Sequence, residues 1–564
     1  MTEPILSPLN YYIDSAQPAH SGYTRAYLDL LLNDAHVDRA ANAQTVQKYN
    51  AKQKDIKKLQ QSVSGNKSKR TLAIIGIIAA FVFLVMIISN SSMADAGKAP
   101  ILALGLGLGI FGIVKVCKSL NKKNRTLNEQ IAALQTEANE FLSEAQGQVA
   151  PLLSLFTNDD ALNLFTKTLP FITFDKFFSG ERLSELVNDY GFSAGIDSDE
   201  SVLDTLSGEL YGSPFVYVQK NQHHMGRETY HGSLSISWTT ESVDSQGNRH
   251  TEHHSETLHA SVTKPKPYFK TDTALYFGNK AVPNCNFSRT YKHMEDRSEA
   301  SVERAVRAGE KKIQRKEAKA LKTGDDFMGT LNVEFDVIFG ATNRTDDYEF
   351  RQMFTVRAQE SMLELLLYKD GYGDDFSFVK QGKMCIIRSE HAQGRPLSPS
   401  VYNYYSHDLE EIESSFIKQN ETFFRSVYFD FAPLLLIPPY QQPLVRSRPL
   451  TGGRLTAYNY ESLANKLSSL LIPDGIRTDA LFSTSLLGRS GNTDSVEVIA
   501  YGYRTEKRVD YESVYGGDGH WHQVPVEWTE YIPVKKRSVM KVAPAGSDSA
   551  PSGSVYHRGY YAYL

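Results

Sequence analysis

Two apolar stretches, TLAIIGIIAAFVFLVMIISNSSM at 71–93 and APILALGLGLGIFGIV at 99–114, decide the architecture of this 564-residue chain. Neither stretch contains an Asp, Glu, Lys, Arg or His residue. A helix rises about 1.5 Å per residue, so roughly 20 apolar residues cross a hydrocarbon core of about 30 Å. Val116 and Cys117 lengthen the second stretch when the Lys115 side chain reaches toward the interface. The pair predicts a two-span transmembrane helical hairpin with helices at 71–93 and 99–117.

Basic residues flank this pair on its two outer sides. Eight Lys or Arg residues lie between positions 48 and 70 and five between positions 115 and 125, whereas the intervening loop carries only Asp95 and Lys98. The positive-inside rule therefore predicts a multi-pass protein of the cell membrane with both termini in the cytoplasm. Three scattered cysteines agree with a reducing compartment for the large domain. The N-terminal residues lack the pattern of a cleaved signal peptide.

Small residues in the second apolar stretch suggest a helix-packing face. Gly105 and Gly109 have the G-x-x-x-G spacing that lets two helices approach closely. They can pack against the first span of the same chain, or they can mediate contact between protomers. Both alternatives remain open from the sequence.

Heptad-like patterns continue on both sides of the hairpin. Leu127, Ile131, Leu134 and Ala138 follow a spacing of three and four residues, and a more polar version precedes the first span. We therefore expect an antiparallel coiled-coil stalk formed by 23–70 and 118–150. The alternative is two amphipathic helices that pack on the downstream domain.

The remainder predicts a large, strand-rich cytoplasmic body, which places the chain in the α+β class. Its net charge of −4 argues against a nucleic-acid binder driven by overall charge, so nucleic acid is an unlikely partner. We divide the chain into an irregular segment 1–22, stalk arm 23–70, spans 71–93 and 99–117, stalk arm 118–150, α+β units 151–325, 326–445 and 446–542, and a flexible linker with an aromatic tail at 543–564.

Three local predictions within the body can be checked against a structure. The stretch LNVEFDVIFGATNRTDDYEFRQMFTV at 331–356 alternates like a β-hairpin. The acidic pairs Asp346–Asp347 and Asp374–Asp375 are assigned to turns, where Asp is common. The tail VYHRGYYAYL at 555–564 can add to a sheet edge, bind a partner or fray.

Histidines are the weak candidates for a metal site. His250 and His254 fall on one face of a predicted strand, and His520 and His522 form an H-x-H pair on a second predicted hairpin. Neither H-E-x-x-H nor a cysteine partner accompanies them. A solvated polar strand face is the favoured interpretation, and we expect no cofactor.

A charged helix is predicted at 295–322. Its second half is cationic and carries Lys311, Lys312, Arg315, Lys316 and Lys319. A solvated surface helix is the simplest interpretation, and the alternative is contact with anionic lipid headgroups or an anionic partner. Nucleic acid is the weakest option because no aromatic residues are interleaved.

No catalytic or nucleotide-binding motif is present in the sequence, so an enzyme is the less favoured class. We expect a membrane-anchored cytoplasmic scaffold or effector that forms homo-oligomers through its hairpin and stalk in the lipid bilayer and binds a cytoplasmic protein. One alternative is a pore-forming or membrane-disrupting effector gated by the body. Another is a membrane-tethered enzyme with a histidine-containing site.

Overall fold

The computed structural model describes residues 4–89, 95–243, 249–324, 327–444, 453–545 and 552–564. The chain forms two compact units. The first contains Met1–Tyr23, Asn158–Pro399 and Asn420–Leu564, and the second contains Thr24–Thr157 and Ser400–Gln419. The three predicted units of the body lie largely in the first compact unit, and their boundaries stay predictions.

Helices and strands are mixed in this chain, which confirms the predicted α+β class. The α-helices are α1 Pro8–Tyr11, α2 Gln17–Ala35, α3 Arg39–Ser89, α4 Asp95–Leu155, α5 Asp160–Thr168, α6 Gly180–Tyr190, α7 Glu299–Thr323, α8 Val333–Phe339, α9 Asp347–Met353, α10 Val356–Leu366, α11 Leu409–Leu435, α12 Ala457–Lys466 and α13 Ser468–Leu471. The strands are β1 Ile172–Phe174, β2 Glu200–Leu210, β3 Ser213–Val243, β4 Arg249–Gly278, β5 Phe287–Arg289, β6 Phe376–Gln381, β7 Met384–Ser389, β8 Leu481–Ser490, β9 Thr493–Tyr515, β10 Trp521–Pro544, β11 Val555–His557 and β12 Tyr560–Tyr563.

The two longest helices, α3 and α4, form an antiparallel pair inside the second unit. Ile56, Val63, Ile131 and Ala138 are buried between them. Three hydrogen-bonded pairs set the register: Asn42 with Gln148, Asn66 with Asn124, and Arg70 with Asn121. In each pair the two position numbers add up to 190 or 191, so one register holds along the pair. A coiled-coil geometry stays a prediction.

The apolar windows of α3 and α4 lie outside any protein core. Leu72, Phe83, Leu104 and Phe111 are each more than 60% exposed. Both helices are long and apolar enough to cross a membrane, judged by length and composition. A core helix of a soluble protein would bury such side chains, because burial stabilises by about 25 cal/mol per Å².

The first unit is built on two antiparallel sheets. The seven-stranded sheet has the order β1-β2-β3-β4-β7-β6-β5, and the five-stranded sheet has the order β11-β12-β10-β9-β8. Aromatic residues of the helices fill the core against the larger sheet: the rings of Phe215 on β3 and Phe431 on α11 are 4.9 Å apart. Helix α12 buries Leu463 in a second core that includes Phe482 of β8.

The predicted hairpin at 331–356 is wrong, because this stretch forms helices α8 and α9. Asn332 and Asp346 cap their N-termini by accepting hydrogen bonds from the backbone N–H of Phe335 and Glu349. Gly340, with φ of 77°, ends α8. The capping residues favour a helix over the strand that the alternation in VEFDVIF suggests. The apolar side chains of this segment are buried on more than one side of a short core helix.

The prediction of an irregular segment at 1–22 is also wrong. Ser7 caps α1, and Pro8 occupies its first turn, where the missing N–H costs nothing. Leu9 and Tyr12 are buried in the main core. The proline therefore starts a helix here instead of preventing one.

The aromatic tail adds to a sheet edge, as the first of the three alternatives predicted. Strand β12 pairs with β10, and β11 pairs with β12. His557 Nε2 lies 3.1 Å from the buried Asp204 carboxylate. Burial raises the pKa of Asp204, but Lys466, His557 and Arg558 together hold it well below its usual value. Residues 546–551 of the predicted linker lie outside the described residues.

Two long hairpins extend past the neighbouring strands of their sheets. Strand β2 pairs with β3 only as far as Gln222, and β8 pairs with β9 only as far as Tyr501. Beyond these points β3 pairs only with β4, and from residue 505 to its end β9 pairs only with β10. We call residues 223–243, 249–269, 505–515 and 521–531 the double-hairpin arm.

The two hairpins of the arm pack side by side with their tips at the same end. His223 Nε2 lies 3.0 Å from Tyr503 Oη near the base, and Gly516 approaches Ile236 near the tip. The two contacts are separated by thirteen residues along the first hairpin and by thirteen along the second. The two hairpins therefore stay aligned over about 43 Å. Leu258, Val262, Val524 and Val526 are buried in the arm.

The face of the β3–β4 hairpin that points away from its partner carries hydroxyl and imidazole side chains. Successive outward positions are exposed, and cross-strand pairs such as Thr229 with Thr263 and Ser235 with Thr257 lie within hydrogen-bond distance. The outward series is His231, Ser233, Ser235 and Ser237 on β3, and His253, Ser255, Thr257, His259 and Ser261 on β4. This outward face of β4 carries odd-numbered positions, so it is not the face of His250 and His254 for which the sequence favoured a solvated polar role.

We predict that Gly232→Val separates the two hairpins. A Cβ at Gly232 would lie 2.0 Å from the Pro525 carbonyl oxygen, and that backbone cannot rotate away. We expect a loss of about 1–3 kcal/mol in the free energy of unfolding. The three tryptophans, Trp238, Trp521 and Trp528, all lie in the arm, so a red shift of tryptophan emission measures the separation.

Ser233→Val is the matched control, because Ser233 is exposed on the outward face next to Gly232. Its emission spectrum and melting temperature should stay close to those of the wild type. An unshifted spectrum for Gly232→Val would contradict the described packing of the arm.

Candidate functional site

The four candidate histidines all belong to the arm or to its tip. His254 stacks on Trp238 at a ring distance of 5.4 Å, and its Nε2 lies 2.8 Å from Thr240 Oγ1. His250 is exposed four residues away on the same strand. His254 therefore helps to hold the β3–β4 hairpin together.

His520 and His522 flank the tip of the second hairpin. His522 Nε2 lies 2.9 Å from Asp518 Oδ2 across the tip, whereas His520 is exposed. The backbone N–H of Gly517 donates to Glu256 Oε2 at 2.7 Å and joins the tip to the first hairpin. The hydrogen bonds of His522 and Gly517 shape the tip.

Metal-ligand geometry occurs elsewhere. Within the described residues, the group of three or more His, Cys, Asp or Glu side chains with ligand atoms within 4.8 Å of one another is His293, Glu295 and Asp296. None of the four candidate histidines belongs to it. A metal at His250, His254, His520 and His522 stays a prediction without geometric support.

The cationic residues of the predicted charged helix lie on α7. Lys311, Lys312, Arg315 and Lys319 are exposed, and Lys316 is half-buried. The Lys316 ammonium donates to the Thr342 carbonyl and lies 4.1 Å from the centre of the Phe327 ring. The cations of the helix therefore point in different directions. Lys312 and Lys316 line a cleft against α8, whereas the other three cationic residues do not line it.

Gly105 and Gly109 pack against the first apolar helix of the same chain. A Cβ at Gly105 would lie 2.5 Å from Leu84 Cδ2, and one at Gly109 would lie 3.6 Å from Ile77 Cγ2. The position numbers in these contacts add up to 189 and 186, so they lie within about one helical turn of the register set by the polar pairs. The first of the two packing alternatives is the one that the structure contains.

A buried ionic network around His391 was missed by the sequence analysis. His391 Nδ1 lies 2.5 Å from Asp375 Oδ2, and its Nε2 lies 3.3 Å from Asp430 Oδ1. Asp430 also accepts hydrogen bonds from Arg395 and Tyr217, at 3.0 and 3.1 Å. The acidic pair Asp374–Asp375 does lie in a loop, but both carboxylates are buried and paired, Asp374 with Arg289.

Two carboxylates keep the His391 imidazole in its charged form. Burial alone would lower the pKa of His391, but Asp430 and Asp375 raise it to about 9. An imidazolium of this kind cannot act as a general base near neutral pH. The network therefore has a structural role in the core. Its residues are far apart in the sequence, so no local sequence pattern predicts that they come together.

Comparison with models of known protein families, with curated proteins and with solved structures finds no match to this chain.

We predict that Gly105→Leu weakens the helix pair. The added side chain would displace Leu84 and Phe81, which costs about 1–3 kcal/mol of unfolding free energy, measured by thermal unfolding in detergent. Gly107→Leu is the matched control, because no described atom lies within 4 Å of its Cβ position. That control should be neutral or slightly stabilising, since leucine favours a helix. Equal destabilisation by both variants would refute the described packing.

A second prediction concerns pH. A histidine whose pKa is raised on folding contributes stability below its unfolded value near 6.5 and loses it as pH rises through about 9. The melting temperature of the full chain should therefore fall between pH 6.5 and pH 9.5. His391→Gln should flatten that fall, because it removes the titrating group. An identical slope in wild type and variant would exclude His391 as its source.

Proposed function

We propose that this protein is a membrane-anchored scaffold or effector. Its two apolar helices insert in the cell membrane as a hairpin with both termini in the cytoplasm, and its strand-rich body binds a cytoplasmic protein. Copies of the chain associate in the bilayer.

One observation carries the proposal: the apolar windows of α3 and α4 are exposed, with Phe83 64% and Leu104 68% accessible. A buried core hairpin was the alternative to a membrane span, and its side chains would be covered by protein. Continuous helix through both windows satisfies the backbone hydrogen bonds internally, as a bilayer requires.

Self-association within the membrane would use faces other than the Gly105 and Gly109 face, which Leu84 and Ile77 already occupy. Leu104, Leu108 and Phe111 form an outward stripe at helical spacing, and each is more than 60% exposed. Tight packing in lipid depends on shape, because lipid and leucine are equally apolar. Contact between protomers along this stripe is therefore part of the proposal.

The body offers the arm as the surface for a cytoplasmic protein. Tyr511, Tyr515 and Trp521 are exposed on the outward face of its second hairpin, and the rings of Tyr515 and Trp521 are 5.4 Å apart. Tyr and Trp dominate the binding energy of protein interfaces. These aromatic residues favour a binding role over a catalytic one for the arm.

Cysteine accessibility tests the anchoring and the orientation. Cys285 and Cys385 are buried, and burial raises the pKa of their thiols to about 12 and about 11, so both stay unreactive. In a Cys117→Ser background, Ala96→Cys probes the predicted outer loop at 94–98. Intact cells treated with a membrane-impermeant maleimide should label it.

Ser68→Cys is the matched control on the basic flank and should react only after the cells are permeabilised. The wild-type chain should also resist extraction from membranes at high pH. Release at high pH would contradict anchoring, and labelling of Ser68→Cys in intact cells would contradict the orientation.

A further inference from the structure

A cleft of about 470 Å³ lies between α7 and α8 in the first unit. Its base is apolar, with Met294 and Ile313 buried and Val337 half-buried. The two helices approach closely at Gly309, where a Cβ would lie 2.5 Å from Val337 Cγ1. A volume of this size accommodates a small molecule.

Four cations line this cleft: Lys292, Arg297, Lys312 and Lys316. Asp336 is the one carboxylate among the lining residues, and it is already neutralised by Arg344, 2.9 Å away. Its other oxygen accepts the backbone N–H of Thr330 at 2.5 Å. The lining therefore carries an excess of positive charge that its own acid does not balance.

Three of these cations, Lys292, Arg297 and Lys312, keep N–H groups that the described residues do not use. The Lys292 ammonium donates to the carbonyl oxygens of Val337 and Ile338 at 2.7 and 3.3 Å, which leaves one of its three N–H groups. Arg297 donates one N–H to the Lys292 carbonyl oxygen at 3.3 Å. Lys312 makes no hydrogen bond or ion pair within the described part of the chain.

The positive charges that line the cleft repel one another, and this repulsion favours the binding of an anion. Burial lowers the pKa of Lys292 most. The nearby positive charges of Arg289, Arg297 and Lys312 also lower it, whereas Asp374 raises it in part. An anion in the cleft would offset that repulsion. A phosphate group offers several strong acceptor oxygens, which suits converging Lys and Arg donors better than a single carboxylate does.

We propose that this cleft binds a phosphate-bearing small molecule, with the phosphate between Lys292, Arg297 and Lys312 and an apolar portion against Met294, Ile313 and Val337. The same chemistry is present in a lipid headgroup and in a free phosphate compound. The site does not depend on membrane anchoring, because every residue in it lies in the first unit.

The test uses the full chain in phosphatidylcholine nanodiscs, titrated by calorimetry with inorganic phosphate and separately with dihexanoyl phosphatidic acid. At least one probe should bind. Tighter binding of the phosphatidic acid would identify a lipid source, and equal binding would identify free phosphate. Arg297→Ala and Lys312→Ala should each weaken binding about tenfold, since each removes a charge-assisted hydrogen bond.

Lys311→Ala is the matched control, because Lys311 is adjacent on α7 but does not line the cleft. It should change affinity less than twofold, and Lys312→Arg should retain binding. The proposal is overturned when neither probe binds the wild-type chain. It is equally overturned when Lys311→Ala weakens binding as much as Lys312→Ala, because the attraction would then come from general surface charge.

Discussion

The main constraint on this molecule is a set of apolar side chains on α3 and α4 that no other described part of the protein covers. In water, each exposed CH₂ group on α3 and α4 forgoes roughly 0.8 kcal/mol of available burial energy. Phe83, Leu104 and Phe111 stay exposed, whereas the first unit buries its apolar side chains in cores of its own. In the anchoring that we propose, a bilayer would cover them, because the thickness of its hydrocarbon core matches their length.

The sequence was most informative where a pattern was long and local. The two apolar stretches, the antiparallel helical arms and the α+β class follow from periodicity and composition. Residues 331–356 could not be assigned correctly because seven-residue core helices bury several faces, so VEFDVIF imitates a strand. The signals that decide for helix were the caps Asn332, Asp346 and Gly340. The segment 1–22 could not be assigned correctly for a different reason, because Pro8 occupies the first turn of a helix that Ser7 caps.

The candidate sites were predictable only in part. The sequence predicted the cationic half of α7. It did not predict which of these cations face solvent and which line the cleft. Lys312 and Lys316 share a helix face with Gly309 and Ile313, so the spacing did contain a hint of two cations beside a packed face. Arg297 and Lys292, by contrast, come from the segment before the helix. The His391 network joins residues far apart in sequence, and only the folded chain brings them together.

The polar pairs between α3 and α4 decide how the helices can move past each other. A slide by one turn would exchange Gly105 for Gly109 beside Leu84, but it would also put Ile113 in the place of Gly109 beside Ile77. The same slide would bring Arg70 opposite Arg125 and Asn42 opposite Leu152, in place of the hydrogen bonds to Asn121 and Gln148. The pair therefore resists sliding along its axis, and bending of the two helices together is the motion that leaves its polar contacts intact.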